Sequence, residues 1–349
     1  MINQHSWMFL SSFEKYREEL LVEDNIINML HLGPRAFEEI SGEVVQSTTF
    51  IIKKNKIKDY IGSYVRLIDF NNAQEKENKT LEAIGNPDCG YYYETNEDNF
   101  ELIPGNPIAY WASEKVISVF SNNKKLGDVV EAKQGLATAN NNRYLRLWFE
   151  CSYQDIGIEV ISRDDATKSN KRWFLYNKGG MYRKWYGNQD FVINWGNDGK
   201  ELFDDKKAVI RNPDYYFKES ISWSDVTSGR SAFRYYPNGF IFDSTGHSAF
   251  LNKNIKLKEL LGVLNNKFYE ILIDTLNPTL HFHIGYFNNL PYTEIGSDES
   301  ISIVNLNISI SKTDWDSFET SWNFEVHPLL DIDKQGQVPN TVESAYENW

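Results

Sequence analysis

The apolar run IINMLHLG at 26–33 is short and ends in glycine, which is typical of a buried strand. A helical pattern precedes it at 6–24, and helical turns are expected at 35–42. Two further runs rich in β-branched and aromatic residues, 43–55 and 62–70, predict strands. This order predicts the later part of an α/β sheet that is closed by a hairpin.

The chain after this sheet has a different pattern. A loop or short helix is predicted at 71–80 and an amphipathic helix within 103–122, whereas 124–293 reads mostly as short strands broken by Gly, Asn and Pro. One helix, 256–276, interrupts these strands, and 294–312 carries a strand-like run. We therefore predict a mixed, mostly β domain with helices after the α/β part.

Composition limits the compartment and the number of domains. A length of 349 residues predicts two or three domains, and no apolar run approaches the roughly 20 residues of a membrane span. The N-terminus lacks the pattern of a signal peptide. Only Cys89 and Cys151 are present, far apart, which argues against a disulfide framework or a structural zinc site. A cytoplasmic protein is predicted.

Charge is distributed unevenly along the chain. The formal net charge is -13, yet residues 121–236 contain 19 basic and 15 acidic side chains, a local net charge of +4. The flanking parts, 1–120 and 237–349, carry -8 and -9. A basic centre is what phosphate binding requires, although a solvated face of mixed charge explains the same numbers.

Several separated blocks of the sequence resemble one known family. NQHSWMFLSSFEKYREELL with HLGPRAFEEISGEVVQSTTFII resembles the second half of the methyltransferase domain of PglX-type proteins. These are adenine-specific DNA methyltransferases of BREX phage-defence systems, close to type IIG restriction-modification enzymes. The blocks at 125–150 and 221–250 resemble the opening and middle of their target-recognition domain. The blocks at 260–292 and 314–330 resemble its closing helix and strand and the segment that follows.

The resemblance implies a division of the chain into functional parts. Residues 1–70 would be the C-terminal part of a Rossmann-like methyltransferase domain, followed by a connector at 71–102. Residues 103–293 would be a DNA target-recognition domain, and 294–349 a C-terminal extension. Double-stranded DNA is the implied partner, with a catalytic methyltransferase half or other BREX or restriction-modification components as further candidates.

The two motifs that methyl transfer to adenine requires are missing from this sequence. S-adenosylmethionine, the family's cofactor, needs a Gly-rich turn, and no two of the 21 glycines are spaced as G-x-G. The N/D-P-P-Y/F motif that holds the base amine is also absent. We therefore expect a DNA-recognition fragment that binds no cofactor and is catalytically incompetent by itself. The alternative is a stand-alone specificity subunit that docks on a separate methyltransferase chain.

Basic and amide side chains on loops of the central region are the candidates for DNA contact, since they can reach phosphates and base edges. KQGLATANNNRYLRLWFE supplies four of them, KRWFLYNKGGMYRKWYGN supplies five, with Gly179-Gly180 predicted as a tight turn between strands, and SWSDVTSGRSAFR supplies four. The candidates are Asn140, Asn141, Arg143, Arg146, Lys171, Arg172, Lys178, Arg183, Lys184, Trp223, Ser228, Arg230 and Arg234. An aromatic-rich β-domain that binds a protein or a sugar is the alternative.

Three other features have competing interpretations. The resemblance implies that Phe50 stacks on a flipped adenine, whereas a core phenylalanine on a strand explains it equally well. The sequence from Asn212 to Tyr215 differs by one residue from the catalytic tetrapeptide, but a turn is the simpler interpretation. His281 and His283 share one face of a strand as a metal pair would, yet ordinary packing is preferred because no third ligand lies at a familiar spacing.

Overall fold

A computed structural model describes residues 1–37, 45–226, 230–251, 256–279, 281–293, 297–330 and 341–348. The chain forms two compact units. The first consists of Met1–Lys125, Ile271–Thr279 and Asn289–Tyr292, and the second of Leu126–Glu270, Leu280–Asn288 and Thr293–Trp349. These units are defined by geometry alone, so the functional boundaries given above stay predictions.

The first unit contains a mixed five-stranded sheet in the order β1-β3-β2-β4-β5. Its strands are β1 Ile2–Gln4, β2 Asp24–Gly33, β3 Ser47–Lys54, β4 Ile61–Arg66 and β5 Tyr92–Asn96. β2 and β4 are parallel and the other neighbours are antiparallel. The three predicted strands are therefore confirmed. The Rossmann-like assignment stays a prediction.

Helices α1 Glu14–Glu23, α2 Ala73–Gly85, α3 Asp98–Glu101 and α4 Glu114–Asn122 also belong to this unit. The helix predicted at 6–24 begins as 3-10 turns and becomes α-helical at Glu14. The segment after β4 is a full helix because the Asn72 side chain accepts a hydrogen bond from the Glu75 amide, which caps α2. The helical turns predicted at 35–42 fall mainly outside the described residues.

The described residues of the second unit form two sheets. Its strands are β6 Val130–Lys133, β7 Leu145–Leu147, β8 Ile156–Gly157, β9 Trp173–Asn177, β10 Phe191–Asn194, β11 Ser220–Ser224, β12 Arg234–Tyr236, β13 Ile241–Phe242 and β14 Gly246–Leu251. One sheet has the order β13-β9-β10-β7, with β8 also paired to β9, and the other has the antiparallel order β12-β11-β14-β6. The expectation of short strands is confirmed.

The described helices after residue 126 are α5 Asn141–Tyr144, α6 Arg163–Ser169, α7 Gly196–Asp204, α8 Leu257–Leu264, α9 Lys267–Leu276, α10 Ile284–Asn289, α11 Asp298–Asp316 and α12 Val342–Asn348. The single helix predicted at 256–276 is two helices. They are separated because the Asn265 side chain is buried and pairs with the backbone of Phe233 through both its amide nitrogen and its oxygen, at 2.9 and 3.1 Å.

The strand-like run predicted at 294–312 is wrong, because 298–316 is the helix α11. Ser297 caps this helix by accepting a hydrogen bond from the amide of Ser300 at 3.1 Å. Val304 is buried close to Gly262 of α8, where a Cβ atom would lie 2.7 Å from the Val304 side chain. Packing between helices thus outweighs the β propensity of the alternating SISIVNLNISIS sequence.

Candidate nucleic-acid interface

The asparagines at 140–141 build a turn. Asn140 accepts a hydrogen bond from the Arg143 amide at 3.2 Å and so caps the one-turn helix α5. The Asn141 side-chain oxygen accepts a hydrogen bond from the Thr138 hydroxyl at 2.5 Å. Both residues are exposed, so their remaining polar atoms face solvent at the surface. Strand β7 begins directly after this turn, at Leu145.

The next two arginines of this stretch differ in exposure. The Arg143 side chain is 57% exposed, lies over the Tyr144 ring and faces Glu201 at 3.8 Å. Arg146 is half-buried and donates to the carbonyl oxygens of Asn142 and Leu145 at 2.7 and 2.6 Å. Arg143 is therefore the better placed of the two to reach a phosphate, while Arg146 stabilises its own loop.

Trp173 contacts arginines from two of the stretches predicted to contact DNA. The guanidinium carbons of Arg146 and Arg172 lie 5.6 and 5.4 Å from the centre of the Trp173 ring. We call these three residues the arginine–tryptophan cluster. Strands β7 and β9 both pair with β10, which explains why side chains far apart in sequence meet. Arg172 is exposed, whereas the neighbouring Lys171 is half-buried and donates to the Gln154 carbonyl oxygen.

Two other predicted stretches meet at a second place. Gly179 and Gly180 both have positive φ, but they begin a long connection from β9 to β10, so the tight turn predicted there is wrong. The connection instead contacts the end of β11, where the Ser224 hydroxyl donates to the Gly180 carbonyl oxygen at 2.9 Å. We call this group the glycine-loop cluster. Its members are Gly180, Met181, Tyr182, Ser224, Arg230 and Arg234, which line one small pocket.

Most cations around the glycine-loop cluster already have acidic partners. Glu270 accepts hydrogen bonds from Lys184 at 2.7 Å and from Arg230 at 3.0 Å. Arg183 donates to Asp314 at 2.9 Å, and the Lys178 ammonium lies 3.7 Å from Asp243. The Arg230 side chain nevertheless remains 70% exposed, which places it at the surface of the cluster.

Three predicted contact residues are buried or outside the described chain. Arg234 is buried, and burial lowers the pKa of its guanidinium. Trp223 is fully buried, stacks on Phe287 with ring centres 4.4 Å apart and donates from Nε1 to the Phe282 carbonyl oxygen. A base or phosphate therefore has no access to Trp223 in this conformation. Ser228 lies outside the described residues.

Phe50 and the near-match to the catalytic tetrapeptide have structural roles. Phe50 is buried in the core of the first unit, with its ring centre 4.9 Å from that of Trp7, so its burial favours the core interpretation. The turn predicted after Asn212 is confirmed, because Pro213–Tyr215 form a 3-10 turn. The Asn212 amide nitrogen donates to the Gln134 carbonyl oxygen at 2.9 Å and so fixes that turn.

A carboxylate that the sequence interpretation missed lies beside His281 and His283, which are an isolated bridge residue and a loop residue rather than part of a strand. Asp225 is 3.4 Å from His281 and 2.8 Å from His283, measured between carboxylate oxygens and Nδ1 atoms. Burial opposes ionisation of this carboxyl, but the nearby His247 and His283 outweigh it and hold its pKa below the usual range. No spacing rule could have found Asp225, because the pairing of two distant segments brings it there.

Two glycines of the first unit allow close packing between neighbouring segments. A Cβ atom at Gly33 would lie 2.8 Å from the Ile68 side chain, and one at Gly62 would lie 2.6 Å from the Ile26 carbonyl oxygen. A larger residue at either position would therefore collide with protein atoms. No helix in the described part of the chain is long and apolar enough to cross a membrane.

The fold is similar to that of a DNA-modifying class of enzymes. The chain aligns with the type IIL restriction-modification enzyme MmeI, solved in complex with DNA, at a TM-score of 0.52 and 9% identity. The alignment covers 99% of this chain and 45% of MmeI. At this low identity the similarity concerns the fold alone.

Sequence relatives give the family. The chain is 42% identical over 357 aligned residues to the adenine-specific methyltransferase PglX of Lacticaseibacillus casei (strain Zhang), covering all of this chain and 30% of PglX. It is 38% identical to the adenine-specific methyltransferase BrxX of Escherichia coli O9:H4 (strain HS), covering 95% of this chain and 26% of BrxX. No family model matches. The chain therefore belongs to the PglX and BrxX family of adenine-specific methyltransferases, and it spans less than a third of these relatives' lengths.

Proposed function

We propose that this chain recognises a duplex DNA target for S-adenosylmethionine-dependent, adenine-specific methylation in a phage-defence or restriction-modification system. The observation that carries the proposal is the glycine-loop cluster. Two basic stretches, 171–188 and 222–234, were each predicted to contact DNA, and the Ser224–Gly180 hydrogen bond joins them. Membership of an adenine-specific methyltransferase family supports the same assignment.

The proposal distinguishes residues that reach DNA from residues that hold the loops. Arg143, Arg172 and Arg230 have exposed side chains, so their guanidinium groups are assigned to phosphate or base contacts. Arg146 and Arg234 donate to backbone carbonyl oxygens and position those loops. Recognition, rather than methyl transfer, is assigned to this chain because its sequence contains neither a G-x-G pair nor an N/D-P-P-Y/F motif.

Salt-dependent DNA binding tests the proposal. Fluorescence anisotropy with a labelled duplex, repeated over a range of salt concentrations, should give a Kd that rises steeply with salt, because bound cations release counterions from the phosphates. The triple variant Arg143→Gln, Arg172→Gln and Arg230→Gln should weaken binding and reduce the slope of log Kd against log salt by up to about 3.

The matched control neutralises three exposed lysines of the first unit. The triple variant Lys15→Gln, Lys53→Gln and Lys54→Gln removes the same charge from residues with no assigned contact. It should keep most of the affinity and slope of the unmodified chain. If both triple variants lose the same affinity, overall charge rather than the assigned surface governs binding. If the unmodified chain binds no duplex at low salt, the proposal fails.

A further inference from the structure

We propose that Asp225, His281 and His283 form a binding site for a divalent transition metal, with Zn²⁺ the best match to their chemistry. Imidazole nitrogen and carboxylate oxygen are both zinc ligands, and two histidines with one carboxylate make a recurrent set that leaves a coordination position open. One ligand atom from each residue lies within 4.8 Å of the others. We call these residues the histidine–aspartate cluster.

The backbone around this cluster is fixed by pairing and by the core. The Phe282 amide donates to the Asp225 carbonyl oxygen at 2.7 Å, and Val226 and His281 form an antiparallel bridge. Phe282 is itself buried, and its carbonyl oxygen accepts the hydrogen bond from Trp223. Because His281 and His283 flank the buried Phe282, both histidines lie on the opposite side of the segment, toward Asp225.

The distances fit a metal site that needs only a small adjustment. Ligand atoms about 2.0–2.1 Å from a tetrahedral zinc ion lie roughly 3.3 Å from each other. The observed separation between His281 Nδ1 and Asp225 Oδ2 is 3.4 Å, and that between His283 Nδ1 and Asp225 Oδ1 is 2.8 Å. The histidine side chains are 52% and 54% exposed, so they can adjust and an ion can enter from solvent.

The buried side of the cluster lacks the partners that its polar atoms require. The side chain of Asp225 is 12% exposed and that of His247 is 2% exposed, and Nε2 of His247 lies 3.5 Å from Oδ1 of Asp225. Although Nδ1 of His283 lies 2.8 Å from this oxygen, neither the oxygen nor either ring nitrogen of His247 makes a hydrogen bond of good geometry within the described chain. Buried polar atoms are normally satisfied, and an ion held by Oδ1 would supply the missing partner.

His247 then has one of two roles that experiment can separate. As a fourth ligand it would bind the ion directly, and as a supporting residue it would orient the Asp225 carboxylate from behind. In either role the ion links the end of β11 to the 281–283 segment. None of the residues of this metal site is among the assigned DNA contacts. Metal binding can therefore be tested without DNA and separately from the proposed function.

Metal titration of the purified full chain tests the site. After treatment with a chelator and dialysis, calorimetry with Zn²⁺ should show one tight site, and Co²⁺ should give visible absorption bands typical of four or five ligands. The double variant His281→Gln and His283→Gln should lower the Zn²⁺ affinity by at least about tenfold and abolish the Co²⁺ bands. Its substituted side chains are half exposed, so the fold should survive, which circular dichroism checks.

Two further variants complete the design. His327→Gln removes a histidine outside the cluster and should bind Zn²⁺ as the unmodified chain does. His247→Gln should weaken binding about tenfold with unchanged Co²⁺ bands if His247 is a supporting residue, and should alter the bands if it is a ligand. The proposal is overturned if the unmodified chain and the His281/His283 double variant bind Zn²⁺ equally, or if neither binds it.

Discussion

The guanidinium of Arg234 donates to the hydroxyl oxygen of Ser224 at 3.1 Å, and that hydroxyl in turn donates to the carbonyl oxygen of Gly180. A second guanidinium nitrogen of Arg234 donates to the Arg183 carbonyl oxygen at 3.3 Å. One buried cation therefore holds the connection from β9 to β10 at Gly180, through Ser224, and at Arg183 directly. Three of the nine predicted basic contacts, Lys178, Arg183 and Lys184, lie on this connection.

Replacing this cation should loosen the loop. Arg234→Met keeps most of the buried volume but removes the donors, so we expect the free energy of unfolding to fall by about 1–3 kcal/mol. Urea unfolding followed by tryptophan fluorescence measures this change, and hydrogen exchange at 178–184 should become faster. Unchanged exchange there would mean that Arg234 does not position the loop. Arg172→Met, at an exposed arginine, is the control and should leave stability within about 0.5 kcal/mol.

Glu270 should limit the positive charge available to DNA. It pairs with both Lys184 and Arg230, so Glu270→Gln removes the carboxylate that neutralises these two cations at the glycine-loop cluster. If DNA binds there, affinity at low salt should rise, and the slope of log Kd against log salt should steepen by about 2. Anisotropy titrations measure both quantities. Glu319→Gln, at an exposed glutamate, changes the net charge equally and serves as the control. Equal effects of the two variants would contradict a local role.

The contact between α8 and α11 predicts a steric effect. A Cβ atom at Gly262 would lie 2.7 Å from the Val304 side chain, so Gly262→Ala should lower the free energy of unfolding by about 1–3 kcal/mol. Adding Val304→Ala should recover part of the loss, a coupling that a double-mutant cycle measures. Gly285→Ala is the matched control, because a Cβ atom there meets nothing within 4 Å. Additive effects at 262 and 304 would mean that the two positions do not touch.

The buried histidine pair of the first unit should make stability depend on pH. His5 Nδ1 lies 2.9 Å from His31 Nε2, and burial lowers the pKa of His5 to about 4 and that of His31 well below its usual range. The unfolded chain then binds more protons than the folded chain between about pH 6.5 and 4. The free energy of unfolding is therefore highest above pH 6.5 and falls as the pH drops. Protonation of His5 alone lowers it by about 3 kcal/mol.

Urea unfolding at several pH values between 7 and 4 measures this dependence. His5→Gln keeps a neutral polar side chain and should flatten the curve, whereas His327→Gln should leave it unchanged. An identical pH dependence in His5→Gln and the unmodified chain would show that His5 does not titrate as inferred.

Local sequence pattern correctly predicted the helices and strands whose buried faces match the spacing of their apolar residues. The run at 26–33 is a strand because its apolar side chains pack on both faces of a sheet, and this is visible in the sequence. The alternating run within 298–316 was predicted as a strand but is a helix. This helix is stabilised by contacts such as that of Val304 with Gly262, and residues so far apart in sequence cannot be paired from local pattern. The break at Asn265 depends on the backbone of Phe233 and was hidden for the same reason.

The sequence indicated which stretches carry the candidate contact residues, but not how these residues are arranged in space. Arg143, Arg172 and Arg230 are exposed as loop cations are expected to be. Trp223 and Arg234 belong to the same kind of sequence but are buried, because strands β11 and β12 carry them inward. Asp225 meets His281 and His283 only through a bridge between distant segments, so no local pattern could have indicated the cluster.

The pairing of Asn265 with Phe233 also lies at the edge of a sheet. Phe233 immediately precedes β12, the outermost strand of its sheet, and an unpaired strand edge can template pairing with a second chain. The Asn265 amide and the Trp185 amide both donate to the Phe233 carbonyl oxygen, at 2.9 Å each. A side chain that divides two helices therefore also occupies a backbone acceptor beside this outer strand, as is expected for a sheet edge that is covered against pairing with another chain.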